Sequence, residues 1–172
     1  MFRTTLANVT QKRTIRPLYA QTQATPWAGY LDPAWPRTTD IYPGMVMTKL
    51  ANEVVTLASN TTHKPFGLAA LFVAPALGID EVRTAGTNNF TVWVAEGDNA
   101  FEVLAPAFDT TANWTQPTDG SEVNLSWTLT AHAKGAGLLA PVGTANTATA
   151  VVGKLVSVVG TSKIIVRLTR IV

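Results

Sequence analysis

Two histidines, eleven carboxylates and no cysteine are the groups with which this 172-residue chain could do acid–base, nucleophilic or metal chemistry. Without cysteine there is no thiolate nucleophile, iron–sulfur site, zinc ribbon or disulfide framework. A serine nucleophile would call for a strained turn of the Gly-x-Ser-x-Gly kind, and no such pattern occurs. His63 lies between Asn60-Thr61-Thr62 and Lys64-Pro65, a turn-like setting, and His132 follows an alternating strand. Both are expected as surface histidines and not as bases. Glu96, Asp98 and Glu102 have the residue types of a glycosidase pair, in which two carboxyls flank the bond to be cleaved. Glu96 and Asp98, however, fall in the short run Glu96-Gly97-Asp98-Asn99, where Asp and Asn serve the turn itself. Asp80-Glu81 and Asp98-Asn99 lack the twelve-residue loop of alternating ligands that calcium needs. Gly135-Ala136-Gly137 follows Lys134 instead of preceding Lys-Ser/Thr, so it is no phosphate loop. No catalytic, metal or cofactor site is expected, and the chain does not read as an enzyme.

The elements that would carry any site are strands. Thr, Val and Ala occur 26, 18 and 24 times, and the first two are β-branched residues that fit pleated sheets better than helices. The apolar fraction of 47% excludes disorder. From Pro43 onward the hydrophobic period is two. Over Glu122–Ala131, Val123, Leu125, Trp127, Leu129 and Ala131 share one face, with polar residues between them. Gly153–Val159 and Lys163–Thr169 alternate about the Gly160-Thr161-Ser162 turn, and Phe90–Ala95 with Ala100–Ala105 is expected as a second hairpin. Further strands are expected at Met45–Leu50, Glu53–Ala58 and Phe66–Val73. Leu68–Ala76 fits a buried strand or a short helix, and Thr144–Ala150 reads as loop. The fold class is all-β, a small β-sandwich or barrel-like domain over residues 44–172.

Residues 1–43 differ. Half of the ten prolines fall at Pro17, Pro26, Pro33, Pro36 and Pro43, among Tyr19, Trp27, Tyr30, Trp35 and Tyr42. Proline lacks an N–H and biases its predecessor to extended geometry, so neither a long helix nor a central strand is expected here. Read as an extended chain, the 27 residues from Pro17 to Pro43 reach roughly 85 Å at about 3.3 Å per residue. Its large aromatics suit protein interfaces. Arg13, Arg16, Tyr19, Trp27, Tyr30, Trp35 and Tyr42 are the candidate partner-binding residues. The arm either engages a partner or folds back over its own domain, and the two are compatible.

Charge is small in sum, +2, but segregated. Residues 1–79 carry +4, residues 80–122 carry −7 and residues 123–172 carry +5. No Lys/Arg run exceeds two, and basic residues are not interleaved with stacking aromatics, so nucleic acid is not an expected partner. The blocks fit complementary patches between protein subunits. The longest apolar stretch, Gly67–Ile79, is too short for a bilayer of about 30 Å and contains Pro75, and no secretory signal pattern opens the chain. The expectation is a soluble protein without a membrane partner.

One stretch carries a resemblance. Asp40-Ile-Tyr-Pro-Gly-Met-Val-Met-Thr-Lys49 leads from Pro-Gly into an apolar strand. Ala51-Asn52 turns into Glu53-Val-Val-Thr-Leu-Ala58, and Pro65-Phe-Gly-Leu-Ala-Ala-Leu71 follows the polar Ser59–Lys64 loop. Residues 40–71 resemble the opening of tailed-phage capsid decoration (cement, head-stabilising) proteins, including those similar to the lambda head-stabilising protein. The arm and the long C-terminal strand region depart from the compact lambda-like form. The resemblance implies a structural virion protein, made in the host cytoplasm, that binds the outer capsid surface. It also implies reinforced contacts between major capsid protein subunits and self-association as a trimer or dimer. The arm fits a tether, and deletion of Met1–Tyr42 is expected to leave the β-domain folded while abolishing or greatly weakening capsid binding. The alternative is a tail-fibre or receptor-binding domain, or a carbohydrate-binding module; of Trp93, Trp114 and Trp127, only Trp93 is placed to stack on a sugar.

Overall fold

The computed structural model describes residues 13–18, 24–32, 34–35, 39–73, 89–95, 99–119 and 121–169, and these contain no helix. The strands are β1 (Ile15–Pro17), β2 (Ala24–Leu31), β3 (Val46–Lys49), β4 (Val54–Leu57), β5 (Pro65–Ala69) and β6 (Asn89–Ala95). They continue with β7 (Ala100–Leu104), β8 (Val123–Trp127), β9 (Leu139–Pro141), β10 (Gly153–Val159) and β11 (Lys163–Leu168). The chain is all-β, as its β-branched composition and period of two require.

Five strands close a barrel in the order β2-β4-β3-β5-β6. Closure comes from β6, which pairs antiparallel with β2 along Ala24–Tyr30. On its other side β2 runs parallel to β4 at Tyr30 and Leu31. A central strand within the proline-rich segment runs against the sequence expectation, and the local geometry explains it. Tyr30 N–H donates to Glu53 O on the β4 side, and strand alternation points the backbone nitrogen of Pro26 the same way. The β4 ladder does not reach Pro26, so the missing N–H breaks no ladder bond. Closure leaves this sheet no edge.

The other six strands form an antiparallel sheet in the order β1-β7-β11-β10-β8-β9. The β10–β11 hairpin turns through residues 160–162 as expected, with a bulge between Leu155 and Ser157. The expected pairing of Phe90–Ala95 with Ala100–Ala105 does not form: β6 lies in the barrel and β7 in the sheet. Two alternating runs joined by a short connection satisfy the hairpin pattern, but each finds a better partner elsewhere. β8 is also shorter than its ten-residue pattern. Beyond Trp127 the backbone changes partners, Leu129 N bonding Asn146 O and Thr130 N bonding Ser59 O. Leu68–Ala76 resolves as strand up to Ala69, with a bridge from Val73 to Ile41; residues 74–76 lie outside the described residues.

Barrel and sheet share one hydrophobic core that runs from Leu31, Met47, Val55, Leu68 and Val92 to Phe101, Val103, Leu125, Trp127 and Val166. Backbone bonds cross the seam: Val46 N–H donates to Gly137 O, and Thr130 N–H to Ser59 O. The Thr14 hydroxyl donates to Pro43 O, which fastens the residue before β1 to the chain entering β3.

Candidate functional site

Register places Arg16 of the arm. Arg16 on β1 stands opposite Glu102 on β7, and Ile165 of β11 lies on the other side of Glu102. The Arg16 guanidinium grips the carboxylate with both ends, Nε to Oε1 at 2.9 Å and Nη2 to Oε2 at 3.2 Å. Lys163 Nζ reaches Oε2 at 3.0 Å. The Glu102 side chain is only 10% exposed beneath these cations. Burial pushes its carboxyl up, but the hydrogen bonds and charges of Lys163 and Arg16 outweigh this and hold it below the ordinary value. Glu102 is thus an ionic clasp across β1, β7 and β11 and not a free acid; Glu96 and Asp98 lie outside the described residues.

The arm's aromatics are dispersed. Trp27 on β2 is half-buried, edge-on to Phe66 at 4.9 Å between centroids, with Lys49 Nζ 4.9 Å from its ring. Its ring lies over Gly29, where a Cβ would collide with it, so the glycine makes room for the tryptophan. Tyr30, on the same strand, is half-buried. Trp35 is buried in the core, while Tyr42 is half-buried against Phe72, its hydroxyl donating to Asp40 Oδ2 at 3.0 Å. Arg13 is exposed just ahead of β1, and Tyr19 lies outside the described residues. The structure does not bring these side chains into one patch: Arg16 belongs to the sheet, and Trp27 and Tyr30 to the barrel.

His63 caps its own loop, its Nδ1 accepting from Ser59 N and its Nε2 2.8 Å from Asn60 Nδ2. Burial pushes its pKa down, in keeping with a neutral ring that accepts a backbone hydrogen bond. His132 departs from the surface role expected of it. Its side chain is 9% exposed, and Nε2 stands 3.1 Å from Oδ2 of the fully buried Asp109. Lys134 N–H donates to Nδ1, while the close Nε2–Oδ2 approach is not aligned as a hydrogen bond, and the buried Oδ2 has no hydrogen-bond partner. Asp109 Oδ1 accepts from the Thr111 amide and hydroxyl, and Trp114 Nε1 donates to Asp109 O. The pair joins the segment after β7 to the turn after β8. Twenty-three positions separate Asp109 from His132, and only the Asp-x-Thr turn at Asp109 leaves a trace in the sequence. Among the described residues no three His, Asp or Glu side chains gather as a metal site, and no helix is long and apolar enough to cross a membrane.

What the described residues offer is therefore surface, ion pairs and aromatics set on a β-barrel and a β-sheet that share one core. A family model of phage cement proteins matches it from residue 1 to residue 172. The chain belongs to the phage cement protein family. Searches of curated proteins and of solved structures return no match. Membership places this cement protein among the structural, capsid-associated components of the phage virion. The match takes in residues 1–39 and 72–172 as well as residues 40–71.

Proposed function

We propose that this protein binds the outer surface of the assembled capsid, after synthesis in the host cytoplasm, and stabilises contacts between major capsid protein subunits without catalysing a reaction. The observation that carries the reading is the family match over the full chain. The physics supports it. A closed barrel and a sheet on one core make a stiff body, and stiffness lets a bound protein resist deformation of its support. Residues 1–43 act as the tethering arm and residues 44–172 as the body, with β1 and β2 as the places where the arm is knitted onto it. Arg13, Arg16, Trp27, Tyr30 and Tyr42, exposed or half-exposed, contact the shell or a sister copy, together with Tyr19, while Trp35 holds the arm's course from within the core. Self-association as a trimer or dimer would multiply weak contacts over a lattice.

The test is direct. Purified protein is mixed with undecorated shells of the phage that encodes it, and the shells are pelleted and then heated. Expected are saturable co-sedimentation in many copies per shell and a higher temperature of shell rupture. Protein that stays in the supernatant, or that binds without raising the rupture temperature, overturns the reading.

A further inference from the structure

The six-stranded sheet has one face in the core and one facing out, and the outer face is not neutral. Register and burial assign the two faces. Val103 and Ile164 pair in one row, Phe101, Val166 and Leu155 in the next, and all five are buried. Alternation turns the rows between them outward. One outward row holds Arg16, Glu102 and Ile165, the next holds Arg167 and Lys154, and a third holds Lys163 beside Val159. Glu122, just before β8, reaches Lys154 Nζ at 2.6 Å. Among the described residues the face thus bears four cations, Arg16, Lys154, Lys163 and Arg167, against two carboxylates, Glu102 and Glu122. Both carboxylates already hold a lysine or arginine from the same face. Val156 and Val159, each about two-fifths exposed, add apolar contact area at its β10 side.

We propose that this outer sheet face is the surface with which the protein docks on an acidic protein surface of the capsid shell. The proposal rests on the cement reading and says which side of the molecule faces the shell. Charge selects the occupant. A net positive face with its carboxylates already paired attracts a surface with unpaired Asp and Glu. Among the described residues a second copy of this chain offers a single such carboxylate, the exposed Asp119, too little to match four cations. Glu53, Glu102 and Glu122 are ion-paired, Asp109 is buried, Asp40 holds the Tyr42 hydroxyl and Asp32 accepts from the Ala34 amide. Nucleic acid fits poorly, because carboxylates sit among the cations and none of the face residues named is an aromatic on which a base could stack.

The experiment measures binding of the full-length protein to DNA-free shells by co-sedimentation, across a series of NaCl concentrations. Screening shortens the reach of such charges to about 10 Å at 0.1 M salt, so wild-type affinity should fall as salt rises. The double variant Lys154→Glu/Arg167→Glu inverts the face and should bind about tenfold or more weakly at low salt, with little remaining salt dependence. Glu122→Gln removes a carboxylate from the face and should tighten binding, a gain that misfolding cannot imitate. Lys134→Glu alters net charge away from this face and should bind as wild type does. Circular dichroism and thermal midpoints establish that each variant is folded. If wild type binds and the double variant binds equally well, the face is not the docking surface and the cement reading stands. Loss of binding by Lys134→Glu to the same degree overturns the proposal in favour of a general charge effect. A change of oligomeric state in the double variant would assign the face to contacts between copies and overturn it too. If wild type fails to bind shells, both fall together.

Discussion

Glu102 holds the N-terminal strand to the sheet, and its acid–base behaviour makes that role measurable. Its carboxyl is held below its ordinary value in the folded chain by Lys163 and Arg16 against the opposing effect of burial. Its contribution to stability is therefore complete above the unfolded carboxyl's ordinary pKa of about 4.3 and fades as pH falls through the lower folded value. Arg16 is 67% exposed and well screened, so Glu102→Gln should cost only about 1 kcal/mol at pH 7. Urea titrations of the two proteins should converge only once the pH has fallen below that lowered folded value, where the wild-type carboxyl is also neutral; a difference that persists there would mean packing and not charge. Ser126 makes the opposite case. It is fully buried and its hydroxyl has no hydrogen-bond partner, so Ser126→Ala should leave stability unchanged or raise it by up to about 1 kcal/mol, seen as a higher thermal midpoint. Single residues were the least legible level of the sequence. Trp127 on the apolar face of its strand could be read as core, and it is fully buried. His132 reads as a surface residue from the sequence and is instead largely buried, because its partner Asp109 comes from another element and proximity in the fold leaves no pattern in the chain.

At the level of elements, alternation located the strands and failed on their partners. β3, β4, β5, β10 and β11 lie where the sequence pattern puts strands; in β10 and β11 one buried face fixes which residues must be apolar, whereas most residues of β3, β4 and β5 are buried on both faces. Whether β6 pairs with β7 depends on which sheet each completes, and nothing within Asn89–Leu104 encodes that. The proline-rich arm shows the same limit: Pro26 excludes a ladder bond on one side at one residue, not a strand with two neighbours. Gly137 is the element-scale feature that joins the two layers. Its carbonyl accepts from Val46 N in the barrel strand, its N–H donates to Thr128 O, and its φ is +82°. A Cβ there would press into the Leu57 side chain. Gly137→Ala combines left-handed strain with that collision and should destabilise the fold by about 2 kcal/mol. Because the seam serves both layers, one cooperative thermal transition should move down as a whole. A split into two transitions would show that barrel and sheet unfold independently.

For the whole molecule, the question is whether the arm can be separated from the body. Deletion of Met1–Tyr42, which on the sequence alone should spare the body, also removes β1 and β2. It takes Leu31, Trp35 and Ile41 out of the core and opens the barrel between β4 and β6. A barrel that loses a strand exposes two ladder edges and the interior behind them, so this deletion should abolish folding, with loss of the β-sheet circular dichroism signal and of a cooperative melt. Deletion of residues 1–12 removes no described element. It leaves the Thr14–Pro43 tie, the Arg16–Glu102 clasp and the barrel in place. This shorter truncation should melt within a few degrees of wild type, since the described core is untouched. The pair of truncations separates tethering from folding as the longer one alone cannot. If the truncated chain is folded and its shell binding drops severalfold at unchanged salt dependence, residues 1–12 tether the body while the charged sheet face still docks. If binding is undiminished, the part of the arm before β1 is not the tether, and the contacts lie with β1, β2 and the body.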